Sequence, residues 1–139
     1  MQTRLSYSVQ GTLLTFWLEG DYTVEAYAEM VAKAFDDPTT PPTVRLLLDG
    51  SRSEVDRDPD DVRRLLPAFA TRAHRIRRIA VITRTDVHYG MVRMSAALLA
   101  RYGIDVHPFR QRSDALAWVM SDARRESPTG AFPPSGKVR

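Results

Sequence analysis

Cysteine is absent from this chain of 139 residues. The absence excludes disulfides, thiolate metal sites and thiol nucleophiles, and it is typical of proteins from a reducing cytoplasm. No apolar run approaches the roughly 20 residues that a membrane-spanning helix needs, and residues 1–10 lack the apolar stretch of a secretory signal. We therefore expect a cytoplasmic protein with no membrane span.

Metal-binding and nucleotide-binding motifs are absent as well. The three histidines, His74, His88 and His107, fall on separate predicted elements, and no two of them have the H-x-x-x-H spacing of metal ligands on one helix. The 7 glycines are scattered and form neither a G-x-G-x-x-G fingerprint nor a P-loop. We therefore expect no metal and no cofactor.

Lysine is rare, and arginine supplies nearly all of the positive charge. Only Lys33 and Lys137 are lysines, and the formal net charge is +3. One basic cluster lies where a predicted helix ends and a predicted strand begins: Arg72, His74, Arg75, Arg77 and Arg78. Aromatic residues for base stacking are not interleaved with it, and cations in the last turn of a helix complement the helix dipole. We therefore expect no nucleic-acid partner.

Apolar residues first follow two strand patterns and then alternate between helix and strand patterns. Apolar and polar residues alternate over 5–9 and 14–18, on either side of a turn signal at Gly11-Thr12, which predicts a hairpin. The runs 44–48 and 79–83 are apolar at nearly every position, as strands covered on both faces are. This order predicts an α/β fold with one mixed, mostly parallel five-stranded sheet and about four helices.

Start and stop signals define the predicted helices. Thr23 and Asp58 are suitable N-caps, and Pro59 suits the first position of the second helix. Pro67 removes a backbone hydrogen bond inside that helix, so we expect a kink or a break there. Ser113 is the predicted cap of the last helix. The expected core residues of that helix are Leu116, Val119, Met120 and Ala123.

The third helix, predicted over 87–102, is apolar on two sides. The side expected to face the core carries Val87, Met91, Met94, Leu98 and Tyr102. A second stripe carries Val92, Ala96 and Leu99. Because a single sheet covers only one side of a surface helix, we predict that the second stripe belongs to an interface, with a homodimer through this helix as the simplest case.

The folded domain is expected over residues 1–125. Its last strand, around Ile104 and Val106, contains Pro108 and is therefore expected at an edge of the sheet. Residues 126–139 contain too few apolar side chains to offset the entropy cost of ordering the chain, so we predict a disordered tail there.

Several short motifs accompany this order of elements. Residues 18–23 contain a Gly-Asp-Tyr-Thr turn, 46–49 end a strand in Leu-Asp, 85–94 contain D-x-x-Y-G-x-x-R-M, and 113–118 open the last helix with an acid. Together they resemble the SpoIIAA-like, or STAS/SEC14-type, domain family, which is related to the STAS domains of anti-sigma-factor antagonists. The resemblance covers nearly all of the chain and implies the same α/β fold.

The resemblance also implies a regulatory serine. Regulatory STAS domains carry a phosphorylated serine in a D-S-S-G-L-like segment that opens the helix after the third strand, where the added charge breaks a partner interface. Here Ser51 and Ser53 lie in the corresponding loop, but the Gly-Leu continuation is missing and Asp58-Pro59 occupies the helix start. Phosphorylation of Ser51 or Ser53 stays an alternative, and a polar loop is the favoured interpretation.

Polar residues near the carboxyl ends of the parallel strands form the candidate site, because open α/β sheets bind ligands at that edge. The candidates for ligand or partner binding are Asp49, Ser51, Arg52, Asp86, His88, Tyr89 and Arg93. His88 with Asp49 or Asp86 has the residue types of acid–base catalysis. In the competing structural interpretation, Thr85 or Asp86 caps the third helix and Arg93 pairs with Asp49 or Asp86. We favour this interpretation and predict no catalytic residue.

The favoured function is a non-enzymatic binding module. Its ligand would be an apolar small molecule or a helix of a protein partner, held in the crevice between the second and third helices, where Met91 and Met94 offer adaptable apolar surface. Two alternatives stay open: a phospho-regulated anti-sigma-factor antagonist, and a small acid–base enzyme that uses His88 with Asp49 or Asp86.

Overall fold

A β-hairpin opens the fold, as the alternating pattern predicts. The computed structural model describes residues 3–122 of the protein. Strand β1 (Arg4–Gln10) pairs antiparallel with β2 (Leu13–Glu19). Gly11 adopts a φ of 61° in the turn between them, a left-handed conformation that glycine enters without a steric penalty.

Three further strands and four α-helices follow within the described range. Their bounds are β3 (Val44–Asp49), β4 (Ile76–Ile82), β5 (Asp105–Phe109), α1 (Val24–Asp36), α2 (Pro59–Ala70), α3 (Asp86–Leu99) and α4 (Arg112–Val119), with 3₁₀ turns at Ala73–Arg75 and Ala100–Tyr102. The strands lie in the order β1-β2-β3-β4-β5, and every pair after the hairpin is parallel. Helices α1, α2 and α3 supply the crossovers that parallel neighbours need. The predicted α/β fold is confirmed, and the last strand lies at an edge of the sheet as expected. The predicted tail, 126–139, and the predicted core residue Ala123 lie outside the described residues.

The two faces of the sheet pack against different helices. In β3, Leu46 and Leu48 face the larger core, which includes residues of α1, α2 and α3, whereas Leu47 faces a smaller core with α4. All three leucines are buried. Because both faces are covered, the strand is apolar without alternation.

Two helix starts agree with the predicted caps. The Thr23 hydroxyl accepts a hydrogen bond from the Ala26 amide at 3.0 Å. Asp58 and Asp61 form a reciprocal capping box at the start of α2, with Pro59 at its first position. Each cap satisfies an amide that has no partner inside its helix. Local sequence is sufficient to place these two ends.

Of the kink or break expected at Pro67, the break is wrong. Helix α2 continues through this residue to Ala70, and the Thr71 amide donates to the Pro67 carbonyl at 3.1 Å. The proline lies in the last turn of the helix, so its missing amide removes one hydrogen bond close to the end and leaves the rest of the ladder intact.

The start and the buried side of α4 also differ from the prediction. The helix begins at Arg112, and its cap residue Gln111 makes no side-chain hydrogen bond, so Ser113 lies inside the helix rather than at its cap. Packing on the sheet sets such ends to within a residue or two, which local signals do not resolve. Val119 is buried as expected, whereas Met120 is 47% exposed. The buried residues of α4 are Ala115, Trp118 and Val119.

The fully buried residues of α3 lie on the stripe predicted for an interface, whereas Met91, Met94 and Leu98 of the predicted core stripe are only half-buried. Val92 and Leu99 are buried, whereas Val87 is 54% and Tyr102 50% exposed. The helix has two apolar stripes, and its periodicity does not tell which of them faces the sheet. The crossover from β4 to β5 turns the stripe with Val92 inward and leaves Val87 and Tyr102 outside.

A buried arginine fixes the end of α4 to β3. The side chain of Arg45 is 10% exposed and donates to the carbonyls of Val119 and Ser121 at 2.8 and 3.1 Å. It also donates to Asp122, and this hydrogen bond holds the pKa of the Asp122 carboxyl below its ordinary value. The guanidinium thus satisfies carbonyl groups that have no partner inside the helix.

Candidate functional site

A cavity of about 100 Å³ lies between α2, α3 and the sheet. Its walls are mostly apolar and include Leu18, Leu48, Leu66, Phe69, Val92 and Leu99. Protein interiors are otherwise close-packed, so a void of this size is a distinct feature of the core. The cavity occupies the crevice in which the sequence analysis places a ligand.

The cavity exists because α2 and α3 do not close completely over the sheet. Val62 and Phe69 are the buried residues of α2, whereas Leu65 and Leu66 are half-buried. Met91 of α3 is half-buried as well. All three half-buried side chains contribute to the cavity wall, so the cavity lies close to the surface along the seam between the two helices.

Three aromatic rings form one part of the wall. The ring centroids of Tyr22 and Tyr27 lie 5.9 Å apart at an interplanar angle of 84°, and those of Tyr27 and Phe69 lie 6.1 Å apart at 80°. Edge-to-face pairs of this kind are favourable. Burial raises the pKa of the Tyr27 hydroxyl, so this group stays protonated near neutral pH and is able to donate a hydrogen bond. Within residues 3–122 it has no hydrogen-bond partner.

The loop over residues 51–58 covers the cavity at the carboxyl end of the sheet and is tied to the hairpin. Backbone hydrogen bonds of 2.8 and 2.9 Å join the loop to Gly20. Ser53, which is 3% exposed, shares a hydrogen bond of 2.8 Å with the Tyr22 hydroxyl. These contacts hold Arg57 at the cavity wall.

Arg57 brings a positive charge to the wall. Its side chain is 17% exposed, its guanidinium carbon lies 5.0 Å from the ring centroid of Tyr22, and its Nη2 donates to the Tyr22 carbonyl. Its Nη1 lies 4.0 Å from a carboxylate oxygen of Asp61, too far for a hydrogen bond. The buried Nε has no hydrogen-bond partner within residues 3–122. Because a buried donor without a partner is unfavourable, Arg57 is a candidate contact for a ligand.

His88 reaches the cavity from the start of α3. The Thr85 hydroxyl caps this helix and accepts a hydrogen bond from the His88 amide at 3.0 Å. The imidazole packs against Gly50, where an added Cβ would lie 2.6 Å from Cε1 of His88. Glycine at position 50 therefore leaves the space that the ring occupies. Burial lowers the pKa of His88, so the imidazole is neutral at neutral pH.

The structure separates His88 from Asp49, Ser51 and Arg52, which lie together elsewhere. His88 lies at the cavity, whereas Asp49 lies on the face of the sheet that α4 covers. There Asp49 accepts the Ser51 hydroxyl at 2.6 Å and pairs with Arg112 of α4 at 3.0 Å. Arg52 is exposed and borders the same shallow polar depression as Asp49 and Ser51. Within the described range, no hydrogen bond joins the His88 ring to Asp49.

Asp86, Tyr89 and Arg93 form no common site either. Asp86 pairs with Arg110, whose guanidinium carbon lies 5.0 Å from the ring centroid of Tyr89. Arg93 is exposed on α3 and has no ion pair among residues 3–122. The expected pairing of Arg93 with Asp49 or Asp86 is therefore wrong, because other arginines occupy both carboxylates.

Sequence reasoning misses three residues of the cavity wall: Tyr22, Tyr27 and Arg57. Tyr27 is one of the buried residues of α1, and helical spacing does not reveal a cavity beside such a residue. Tyr22 and Arg57 meet only because the loop folds back on the turn before α1, a contact across 35 positions of sequence. No local signal in the sequence reports such a contact.

Neither a metal cluster nor a membrane span is found in the part of the chain that the structure describes. No three histidine, aspartate or glutamate side chains in that part are placed to hold a metal ion. No helix in it is long and apolar enough to cross a membrane.

These features define the chain as a mixed α/β domain with a small apolar cavity on the face of the sheet that carries three helices. It belongs to the SpoIIAA-like family, whose family model matches residues 13–120, so the resemblance in its motifs is confirmed. A similar solved structure is that of an uncharacterized protein from the DUF3478 family with a SpoIIAA-like fold, from Shewanella loihica PV-4.

The two structures have a TM-score of 0.58 at 17% sequence identity, and the match covers 84% of this chain and 92% of that chain. At this identity, the likeness shows a shared fold and nothing about a ligand. A comparison with curated proteins found no match.

Proposed function

We propose that this protein is a non-enzymatic binding module that holds a small apolar molecule in the cavity between α2 and α3. The observation that carries this proposal is the cavity itself, about 100 Å³ of space with mainly apolar walls. An apolar cavity of about 150 Å³ in another protein stays dry and binds benzene. A ring or a short chain is therefore the size of ligand that this cavity favours.

The polar groups around the cavity support binding rather than catalysis. In nucleophile–base pairs a third group orients the base, and no carboxylate within residues 3–122 makes a hydrogen bond to the His88 imidazole. Asp49 and Asp86 are instead engaged by arginines. The acid–base enzyme that uses His88 with either carboxylate is accordingly the less favoured function.

Filling the cavity tests the proposal. The Ser95 side chain lines the cavity, and among residues 3–122 its hydroxyl bonds only within its own helix, to the Met91 carbonyl at 3.0 Å. Ser95→Leu should therefore fill the space while α3 stays intact. In a toluene titration followed by methyl NMR, the wild type should show saturable shifts of Leu66 and Val92, and Ser95→Leu should not.

The matched control is Ala117→Leu, which adds a leucine at an exposed position of α4 on the opposite side of the sheet. It should bind toluene as the wild type does. Absence of saturable shifts in the wild type, or equal shifts in Ser95→Leu, would contradict the proposal.

A second candidate is a protein contact through the outer side of α3, with a homodimer as its simplest form. The observation that favours it is the exposure of two large apolar side chains at the ends of this helix, Val87 at 54% in its first turn and Tyr102 at 50% in the 3₁₀ turn that follows it. Both residues belong to the stripe that the sequence analysis assigns to the core, so this interface would use a different side of the helix from the predicted one.

Phospho-regulation is the remaining alternative, and its two candidate serines differ in their accessibility to a kinase. Ser51 is exposed, and its hydroxyl donates to Asp49. Ser53 is buried and bonded to Tyr22, so a kinase would reach it only after the loop opened. If phosphorylation occurs, Ser51 is therefore the favoured site. The intact mass of the protein from its native host, followed by peptide mapping, would detect the phosphate.

A further inference from the structure

The cavity wall carries hydrogen-bond donors that the protein itself does not use. A guanidinium has five N–H donors, yet within residues 3–122 the only hydrogen bond of Arg57 is the one from Nη2 to the Tyr22 carbonyl. Its Nε is buried without a partner. Tyr27 also lines the cavity, its ring packs edge-to-face on the Tyr22 ring that Arg57 overlies, and its hydroxyl has no hydrogen-bond partner within that range.

Charge at this end is incompletely balanced. The acid nearest to Arg57 in the described range, Asp61, keeps a distance of 4.0 Å and also takes part in the capping box of α2 and in an ion pair with Arg64. Since the Arg57 side chain is 17% exposed, water has little access to it. A buried cation is stable when an anion or good acceptors accompany it, so the site favours a ligand that brings them.

The apolar part of the cavity wall limits the size and shape of the part of the ligand that does not contact Arg57. Tyr22, Tyr27 and Phe69 present a series of ring edges and faces, against which another planar ring packs well. A volume of about 100 Å³ admits a compact group and excludes a long acyl chain lying fully inside.

We propose that the ligand is a small carboxylic acid with a compact apolar body, whose carboxylate is bound by Arg57 and Tyr27 and whose body fills the cavity. This inference rests on the proposed function, because it names the class of molecule that the same cavity holds. A carboxylate matches the site better than a phosphate, since the single partly buried cation, Arg57, compensates one negative charge and not two.

A series of ligands with the same ring and different head groups tests the inference on the full chain. Benzoate, benzyl alcohol, benzylammonium and phenyl phosphate are titrated by NMR at neutral pH. Benzoate should bind about tenfold or more tightly than benzyl alcohol, and benzylammonium should not bind. Equal or tighter binding of benzyl alcohol or benzylammonium would overturn the inference, and tighter binding of phenyl phosphate would replace the carboxylate by a phosphate.

Variants assign the head-group contact to Arg57. Arg57→Met should reduce benzoate affinity to that of benzyl alcohol and leave the affinity for benzyl alcohol unchanged, whereas the control Arg63→Met, at an exposed position of α2, should change neither. An unchanged benzoate affinity in folded Arg57→Met would overturn the inference. If Arg57→Met does not fold, the wild-type series decides alone.

The toluene and benzoate titrations distinguish a failure of the carboxylate inference from a failure of the proposed function. If toluene binds and benzoate has no advantage over benzyl alcohol, only the carboxylate inference is wrong. If neither toluene nor any member of the series binds, the proposed function is wrong as well.

Discussion

Replacing Gly50 with alanine tests whether close packing holds His88 at the cavity wall. An alanine Cβ would lie 2.6 Å from Cε1 of His88 and 3.0 Å from the carbonyl oxygen of Ile82. Carbon atoms in contact prefer about 3.5–4.0 Å, so the imidazole must move by about 1 Å. The backbone has little freedom to help, because the Gly50 amide donates to the same Ile82 carbonyl at 2.9 Å. Overpacking of this kind costs about 1–3 kcal/mol.

Urea unfolding of the full chain measures this cost, and two comparisons separate its causes. Gly90→Ala is the matched control, because a Cβ at that helical position meets nothing within 4 Å, and it should stabilise the protein by about 0.5–1 kcal/mol. In a His88→Ala background, Gly50→Ala should lose at least half of its cost. The reasoning is refuted if Gly50→Ala is as stable as the wild type, or if removal of the imidazole leaves its cost unchanged.

Three further predictions concern other parts of the molecule. Arg45→Met should lower the free energy of unfolding by about 1–3 kcal/mol, since it removes the donor that binds the Val119 carbonyl at the end of α4; an unchanged denaturant midpoint would contradict this. A hydrogen bond from the Tyr7 hydroxyl lowers the pKa of the Asp37 carboxyl in the folded protein. The stabilisation by this hydrogen bond is therefore present above the ordinary carboxyl pKa, and it is lost as the pH falls through the pKa of Asp37 in the folded protein. Asp37→Asn should therefore lower the melting temperature more at about pH 7 than at about pH 3, and equal shifts would speak against that hydrogen bond. If the outer side of α3 forms a homodimer, Ala97→Glu, at an exposed position, should be a monomer in sedimentation velocity. Its far-UV dichroism spectrum should equal that of the wild type. A wild type that is monomeric at high micromolar concentration excludes the dimer.

The parts of the fold that depend on local chemistry are predictable from the sequence. The N-caps at Thr23 and Asp58 follow from side chains that reach an amide three positions away. The hairpin follows from alternation and from a glycine at the turn, and β3 follows from an unbroken apolar run. Each of these signals lies within a few residues of the structure that it predicts.

The features that the sequence does not predict depend on how the helices, strands and loops pack against one another. Two apolar stripes on α3 are equivalent in the sequence, and only the crossover between β4 and β5 decides that Val92 faces inward. The sequence also does not tell which carboxylate each arginine pairs with, because Arg110 reaches Asp86 across 24 positions and Arg112 reaches Asp49 across 63 positions. The sequence predicts a crevice between the second and third helices, and the cavity lies there. That Arg57 lines the cavity depends on how the loop over residues 51–58 folds, which the sequence does not show.

Xenon pressurisation of crystals of the full chain tests the central claim most directly, because xenon binds apolar cavities without any need for a polar contact. Wild-type crystals should show a xenon site between Leu66, Phe69 and Val92, and crystals of Ser95→Leu should lack it. A wild-type crystal with no xenon at this position, or with ordered water filling it, would contradict the claim that the space between α2 and α3 is a binding site for an apolar molecule.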